Sequence, residues 1–236
     1  MTAGGNERLS IIIPVLNEAV GIPDLLNALK SYRARGVEVI VADGGSGDQT
    51  VKLALPLCDQ IVTAPRGRGV QMNAGAAAAR GDILLFLHAD TTLPADADRL
   101  VRDGLATGDR AWGRFDVTIT GTHWLLPIVA FMMSLRSRVT GIATGDQAMF
   151  VRRDAFALVG GFPDIPLMED IVMSQRLKRL TPPLCLRERV TTSGRRWEKN
   201  GVARTIVLMW RLRLAFYLGV KPDELARDYG YVPRDA

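Results

Sequence analysis

Apolar residues follow two rhythms along this chain. Short unbroken runs stand at Leu9–Val15, 37–42, Gln60–Thr63 and 83–87, and each reads as a strand buried on both faces. Between them the apolar spacing turns helical. Leu25, Leu26 and Leu29 predict a helix running from about Ile22 to Gly36. Val51, Leu53 and Ala54 predict a short second helix, and the alanine-rich stretch 70–80 a third. Asp43-Gly44-Gly45-Ser46-Gly47 makes a sharp turn after the second strand. Strands alternating with helices predict a mostly parallel central sheet with helices on both faces.

The second half is less regular. Trp112–Ile119 alternates like a strand beside an open face, and 146–151 and 184–190 read as further strands. Residues 125–135, 169–180 and 202–218 predict helices; the last is long and apolar, with Arg204, Arg211 and Arg213 set into it. No linker-like composition and no internal repeat interrupts the chain. The simplest organisation is a single α/β domain over 1–236, with a nucleotide-binding half at about 9–110 and an acceptor half at about 111–220.

Composition narrows the function. Hydrophobic residues make up 47% and charged residues 23% of 236, the balance of an ordinary globular protein. The net charge of +5 falls in scattered pairs, such as Arg66 with Arg68 and Arg195 with Arg196, and only 6% of the chain is aromatic. A nucleic-acid surface needs a basic stripe with interleaved aromatics, so nucleic acid is excluded as a partner. Cys58 and Cys185 have no metal-ligand spacing and read as free thiols in a reducing compartment. Residues 1–8 are short and polar, unlike a signal peptide, and no uncharged apolar run reaches the roughly 18 residues of a membrane span. The expected location is cytoplasmic, with peripheral contact at the inner face of the membrane as an added option.

The residues that carry chemistry fall after the strands. Ligands of an open parallel sheet bind beyond the carboxyl ends of its strands. Pro14, Asn17 and Glu18 follow the first strand; Asp43, Gly44 and Ser46 the second; Arg66 and Arg68 the third; His88, Ala89 and Asp90 the fourth. An aspartate before glycines is equally well a turn closed on itself. Arginines just before a helix join its amide groups in a site suited to diphosphate. Asn73 lies within that helix, either exposed or against a ligand. His88 and Asp90 are two residues apart, and at a strand end such side chains point the same way. They would then hold Mg²⁺ or Mn²⁺, a cation that phosphates and waters coordinate from its other sides. Gly145 and Asp146 shape either an acceptor pocket or a turn. Arg196 and Trp197 either close over a donor or are a surface arginine and a buried tryptophan.

Taken together, these segments resemble family 2 glycosyltransferases of the GT-A fold. Ser10-Ile-Ile-Ile-Pro-Val-Leu-Asn-Glu18 is similar to that family's opening strand, and Val39-Ile-Val-Ala-Asp-Gly-Gly-Ser-Gly-Asp48 to its base-reading loop. Arg66-Gly-Arg-Gly-Val-Gln-Met-Asn-Ala-Gly75 is similar to the segment passing the donor. Leu84-Leu-Phe-Leu-His-Ala-Asp-Thr91 is similar to the Asp-x-Asp metal strand, and Met168-Glu-Asp170 to the base motif. The resemblance implies a non-processive enzyme that moves a sugar, with inversion, from a nucleotide-diphosphate donor (UDP favoured) to a hydroxyl acceptor. It implies that Pro14, Asn17 and Glu18 line the nucleoside pocket, that Asp43 contacts the base, that Asp90 binds Mn²⁺ or Mg²⁺, and that Asp170 or Glu169 takes the acceptor proton. The chain departs from the pattern at three places. Gly44 stands where a second acid is usual, His88 replaces the first acid of Asp-x-Asp, and Ser193-Gly-Arg-Arg-Trp197 keeps only the end of the processive Gln-x-x-Arg-Trp motif.

Competing classes fare worse. A nucleotidyltransferase needs a glycine-rich, arginine-bearing loop after the first strand, where this chain has Val15-Leu-Asn-Glu18. A dehydrogenase needs Gly-x-Gly-x-x-Gly there. A non-catalytic nucleotide-sugar-binding protein of the same fold remains, and donor hydrolysis separates it from an enzyme. The apolar helices at 125–135 and 202–218 fit three settings: the core, a homodimer face, or an anionic membrane bearing a polyprenyl-phosphate acceptor.

Overall fold

The computed structural model describes residues 7–231. Most of the polar stretch 1–8 lies outside the described residues. The first half follows the expected alternation: β1 (Leu9–Val15), α1 (Ile22–Ala28), α2 (Lys30–Ala34), β2 (Glu38–Asp43), α3 (Thr50–Ala54), β3 (Gln60–Thr63), α4 (Arg68–Ala78) and β4 (Ile83–Phe86). Then come β5 (Thr91–Thr92), α5 (Ala97–Ala106), β6 (Trp112–Ile119), α6 (Leu126–Thr140), β7 (Phe150–Arg152), α7 (Arg153–Leu158), α8 (Glu169–Leu177), β8 (Leu184–Thr192), α9 (Arg195–Asn200), α10 (Val202–Tyr217) and α11 (Pro222–Asp228).

One eight-stranded sheet runs β3-β2-β1-β4-β7-β6-β8-β5. β1 pairs in parallel with both β2 and β4, and β2 with β3, so the first four strands form a parallel sheet. β7 is antiparallel to β4 and to β6, while β6 and β8 are parallel. Four of the seven pairings are thus parallel, as a mostly parallel GT-A sheet requires. Alternate residues of one strand feed two cores. Ile11, Ile13, Val39 and Val41 join the core under α1, α2, α5 and α6. Ile12 and Ile40 join the other, under α4, α7 and α8.

The sequence reading needs four corrections. The first helix breaks at Leu29, which takes a near-bridge conformation that ends α1 and starts α2. Trp112–Ile119 has no open face: it lies between β7 and β8 and is largely buried. The strand expected at 146–151 begins only at Phe150. Gly145–Gln147 is instead a 3₁₀ turn, and Ala148 leaves it with φ of +44°. The side-chain amide oxygen of Gln147 accepts from Thr144 N at 3.2 Å, which holds the chain in that turn. Finally, β4 stops at Phe86, so His88 and Asp90 lie in the loop beyond it, where strand alternation no longer dictates direction.

Candidate active site

Two loops at the carboxyl ends of β1 and β2 are stitched together. Asn17, at φ of +55°, donates from its backbone to Ser46 Oγ, and its Oδ1 accepts from Gly47 N at 2.9 Å. Glu18 N donates to Thr50 Oγ1, and Ala19 N to Asp48 Oδ2. Asp43 is 3% exposed and accepts from Gly45 N, Ser46 N and Ser46 Oγ, so its carboxylate shapes its own loop. Pro14 and Gly44 are buried behind that loop. Gln71, which sequence reasoning passed over, locks the strand ends: its amide donates to Val15 O at 2.7 Å and Ala42 O at 2.9 Å. Gly44 is explained by the same side chain, because a β-carbon there would stand 2.9 Å from the Gln71 amide.

A second cluster gathers residues far apart in sequence. A pocket of about 100 Å³ is lined by Arg68, His88, Gly145, Asp146, Asp170, Arg213 and Tyr229, among others. Arg68 opens α4 and reaches Glu169 Oε1 at 2.9 Å. Glu169 pushes the Arg68 guanidinium up from its ordinary value and so keeps it charged. Burial pushes the Glu169 carboxyl up, Arg68 works against that, and the adjacent Asp170 adds to it. Both acids sit in the first turn of α8, whose helix dipole favours negative charge. The helix is entered through Met168 at φ of +71°, a conformation few side chains adopt. Asp170 Oδ2 accepts from Gly145 N at 3.0 Å, tying the start of α8 to the 3₁₀ turn.

His88 belongs to this cluster. Its Nδ1 lies 3.5 Å from Asp146 Oδ1, and the opposite ring edge presses so closely on Gly145 that a β-carbon there would overlap it. Removal from water pushes the Asp146 carboxyl up, but the His88 contact and the charges of Arg68 and Arg213 outweigh this and hold it below its ordinary value.

Asp90 has different neighbours. It is exposed, and its charge reaches Glu18, whose carboxyl is pushed up by burial first and by Asp90 second. Asp90 thus raises the cost of ionising Glu18, and carboxylates are the ligands of a hard cation that takes its remaining ligands from phosphate and water. No group of three or more acids, histidines or cysteines with metal-binding geometry occurs among the described residues. Asp90, whose charge acts on Glu18, is the acid that would hold such a cation against a bound diphosphate.

The remaining expected residues fall elsewhere. Asn73 is tied at both ends of its amide to the backbone of Phe162, at 2.8 and 2.9 Å, and so fastens α4 to the loop before α8. Ala89 and Trp197 pack, half-buried, against the main core. Arg196 stacks 3.6 Å over the Tyr229 ring and donates to its carbonyl, and Arg66 stacks over Tyr231 at 5.2 Å. The C-terminal segment after α11 is thereby drawn across the arginines that follow β3. Arg213 and Tyr229 were not legible as site residues. Arg213 is one of several arginines in an apolar helix, and Tyr229 arrives only because α11 folds back.

Comparison with known proteins follows this geometry. The family model described as "Glycosyl transferase family 2" matches residues 10–158. The chain is 30% identical over 165 residues to a PGL/p-HBAD biosynthesis glycosyltransferase of Mycobacterium bovis, covering 65% of this chain and 62% of that protein. It is 31% identical over 101 residues to a mouse dolichyl-phosphate beta-glucosyltransferase, covering 36% of this chain and 31% of that protein. The chain thus spans at most about three fifths of these curated relatives. Among solved structures, S. aureus TarS 1-349 in complex with UDP-GlcNAc superposes with a TM-score of 0.65 at 18% identity, covering 79% of this chain and 58% of that one. The mannosyltransferase PcManGT from Pyrobaculum calidifontis, in complex with GDP-Man and Mn²⁺, superposes with a TM-score of 0.64 at 20% identity, covering 90% and 62%. At these identities the structures share the fold.

Proposed function

Since the chain belongs to glycosyl transferase family 2, we propose that it transfers a sugar with inversion from a nucleotide-diphosphate donor, UDP-sugar first, to a hydroxyl acceptor, in the cytoplasm. The observation that carries this reading is Asp170. It is a carboxylate at a helix N-terminus, in a pocket shared with Arg68, His88 and Asp146, beyond the carboxyl ends of the strands. The family membership and the donor complexes of the fold's neighbours support it.

In this mechanism the acceptor hydroxyl attacks the anomeric carbon from the face opposite the diphosphate. Asp170 takes its proton, held in place by Gly145 N. Glu169 fixes Arg68, and Arg68 meets the negative charge that grows on the departing diphosphate. The loop of Asn17, Asp43 and Ser46 forms the floor for the nucleoside. Mn²⁺ or Mg²⁺ at Asp90 would neutralise the diphosphate as a Lewis acid. A thermal-shift screen of UDP, GDP and nucleotide sugars, with and without Mn²⁺, tests donor binding. A ligand present at 100 times its dissociation constant adds about 2.7 kcal/mol of stability. Binding accompanied by nucleotide release supports the transferase. Binding without release under any acceptor condition supports the non-catalytic reading, and no binding overturns both.

A specific observation favours a membrane setting for the acceptor. Ile128, Phe131, Met132 and Leu135 on α6, and Val207, Trp210 and Leu214 on α10, are between 41% and 69% exposed at helical spacing. Neither helix contains an acid, while Arg204 and Arg211 are exposed along α10. A homodimer through these faces would set arginine against arginine, whereas an anionic bilayer supplies the counter-charge. Among the described residues no helix is long and apolar enough to cross a membrane, so contact would be in the plane of the surface. The expected result is co-flotation with phosphatidylglycerol vesicles that Trp210→Asp abolishes. Equal flotation of both proteins, or a stable dimer that Trp210→Asp breaks, removes this setting.

A further inference from the structure

Arg136, on α6, is set apart by what it lacks. Its Nε and Nη2 are both buried and neither has a hydrogen-bond partner, and no other arginine among the described residues has two such atoms. Elsewhere the fold gives its inward arginines acceptors. Arg114 reaches Asp116 and the Ser134 carbonyl. Arg153 donates to the carbonyls of Ala79 and Gly81. Arg138, two residues on, reaches Asp116 and the Cys185 carbonyl. The exception at Arg136 is therefore local.

Its surroundings show what is absent. After burial, the charge that weighs most on Arg136 is a second cation, Arg213 of α10, and the acid that acts on it is Asp170. Arg213 and Asp170 both line the pocket described above. Burial and Arg213 together push the Arg136 guanidinium down to about 10, still charged at neutral pH. Arg136 and Arg213 are thus close enough for their charges to act on one another, and Arg213 lines the pocket with the proposed base. On one of them the Nε and Nη2 donors are unspent, and that edge matches two oxygens of one oxyanion. A guanidinium edge buried without acceptors is destabilising, and an oxyanion would reverse this.

We infer that Arg136 and Arg213 form an anion subsite for the acceptor, and that the acceptor carries a phosphate group beside the atom that receives the sugar. This deepens the transferase reading and rests on it for the word acceptor; the anion site itself rests on the geometry of Arg136. The same phosphate chemistry can come from a soluble phosphate monoester, whose hydroxyl takes the sugar and gives its proton to Asp170, or from a lipid phosphate lying along α6 and α10, whose own ionised oxygen takes the sugar with no proton to remove.

The test is thermal shift on the full chain at fixed ionic strength, with UDP and Mn²⁺ present to occupy the donor site. The probes are glycerol 3-phosphate in solution and farnesyl phosphate in phosphatidylcholine vesicles. At least one probe should raise the wild-type midpoint by a few degrees, and Arg136→Gln should abolish that rise. Without either probe, Arg136→Gln should melt no lower than wild type, because it removes two buried donors that lack acceptors; a residue with a purely structural role would melt lower. Arg136→Lys, which keeps the charge but not the two-pronged edge, should retain a reduced shift and serves if Arg136→Gln does not fold. A shift with glycerol 3-phosphate alone identifies a soluble acceptor, and a shift with farnesyl phosphate alone a lipid one. If neither probe shifts wild type, or if the shift survives Arg136→Gln, the inference is overturned. The UDP and Mn²⁺ shift, recorded separately, reports on the transferase reading and should be unchanged in Arg136→Gln.

Discussion

Asp170→Asn isolates proton removal from everything else Asp170 does. Asparagine keeps the volume and offers an amide oxygen to Gly145 N, which Asp170 now holds at 3.0 Å. The turn that positions His88 and Asp146 should therefore persist. What is lost at the start of α8 is one charge in a helix first turn, about 0.3–1 kcal/mol. This is partly offset, because Asp170 also raises the cost of ionising its neighbour Glu169. The variant should melt within a few degrees of wild type. The chemistry responds differently. Removing a positioned general base costs about 10²–10⁴ in rate, or about 3–5 kcal/mol on the barrier. The assay follows UDP release from a UDP-sugar with Mn²⁺, using whichever donor the thermal-shift screen selects, alongside the UDP-dependent shift. Turnover should fall by at least a hundredfold while the shift is retained. Activity within tenfold of wild type refutes Asp170 as the base. Loss of the UDP shift would instead make it a donor-binding residue.

Three further outcomes follow from the same geometry. Gly145→Ala places a β-carbon into the His88 ring, so His88 must move off Asp146; a displacement of this size should lower turnover about 10²-fold, with the melting midpoint reporting whether the fold survives. Gln71→Leu removes the amide that donates to the buried carbonyls of Val15 and Ala42, with Val15 O keeping its bond from Gly44 N, and should cost about 1–3 kcal/mol in chemical denaturation. Arg35→Gln tests a pH-linked pair. Burial pushes the Asp98 carboxyl up, but two hydrogen bonds from Arg35 outweigh it and hold it below the ordinary value of 3.8. Stability from a lowered carboxyl is fully present above that ordinary value and fades as pH falls through the lower folded one. The variant should thus be about 1–2 kcal/mol less stable at pH 7, with the difference closing below about pH 4. A gap that stays constant down to pH 2.5 excludes the pair as its source.

The first half of the chain was legible because its signals are local. Unbroken apolar runs made β1 to β4, and glycines and polar residues marked their ends. The second half was less legible because its elements are short and its side chains answer to partners far along the chain. Gly145 and Asp146 read as the approach to a strand, yet Gln147 and Asp170 hold them in a turn. His88 and Asp90 read as a pair on one strand face, yet the strand ends before them and each turns to its own neighbours.

By itself the sequence determined the parallel half of the sheet and the order of the loops that follow its strands. These depend on periodicity and on turns a few residues long, whose energetics are complete within the segment. Tertiary structure alone decided which charges became neighbours. Arg68 found Glu169, His88 found Asp146, and Arg136 found Arg213 across α6 and α10. Electrostatic energy depends on distance in space and on removal from water, and neither is set until the chain has packed.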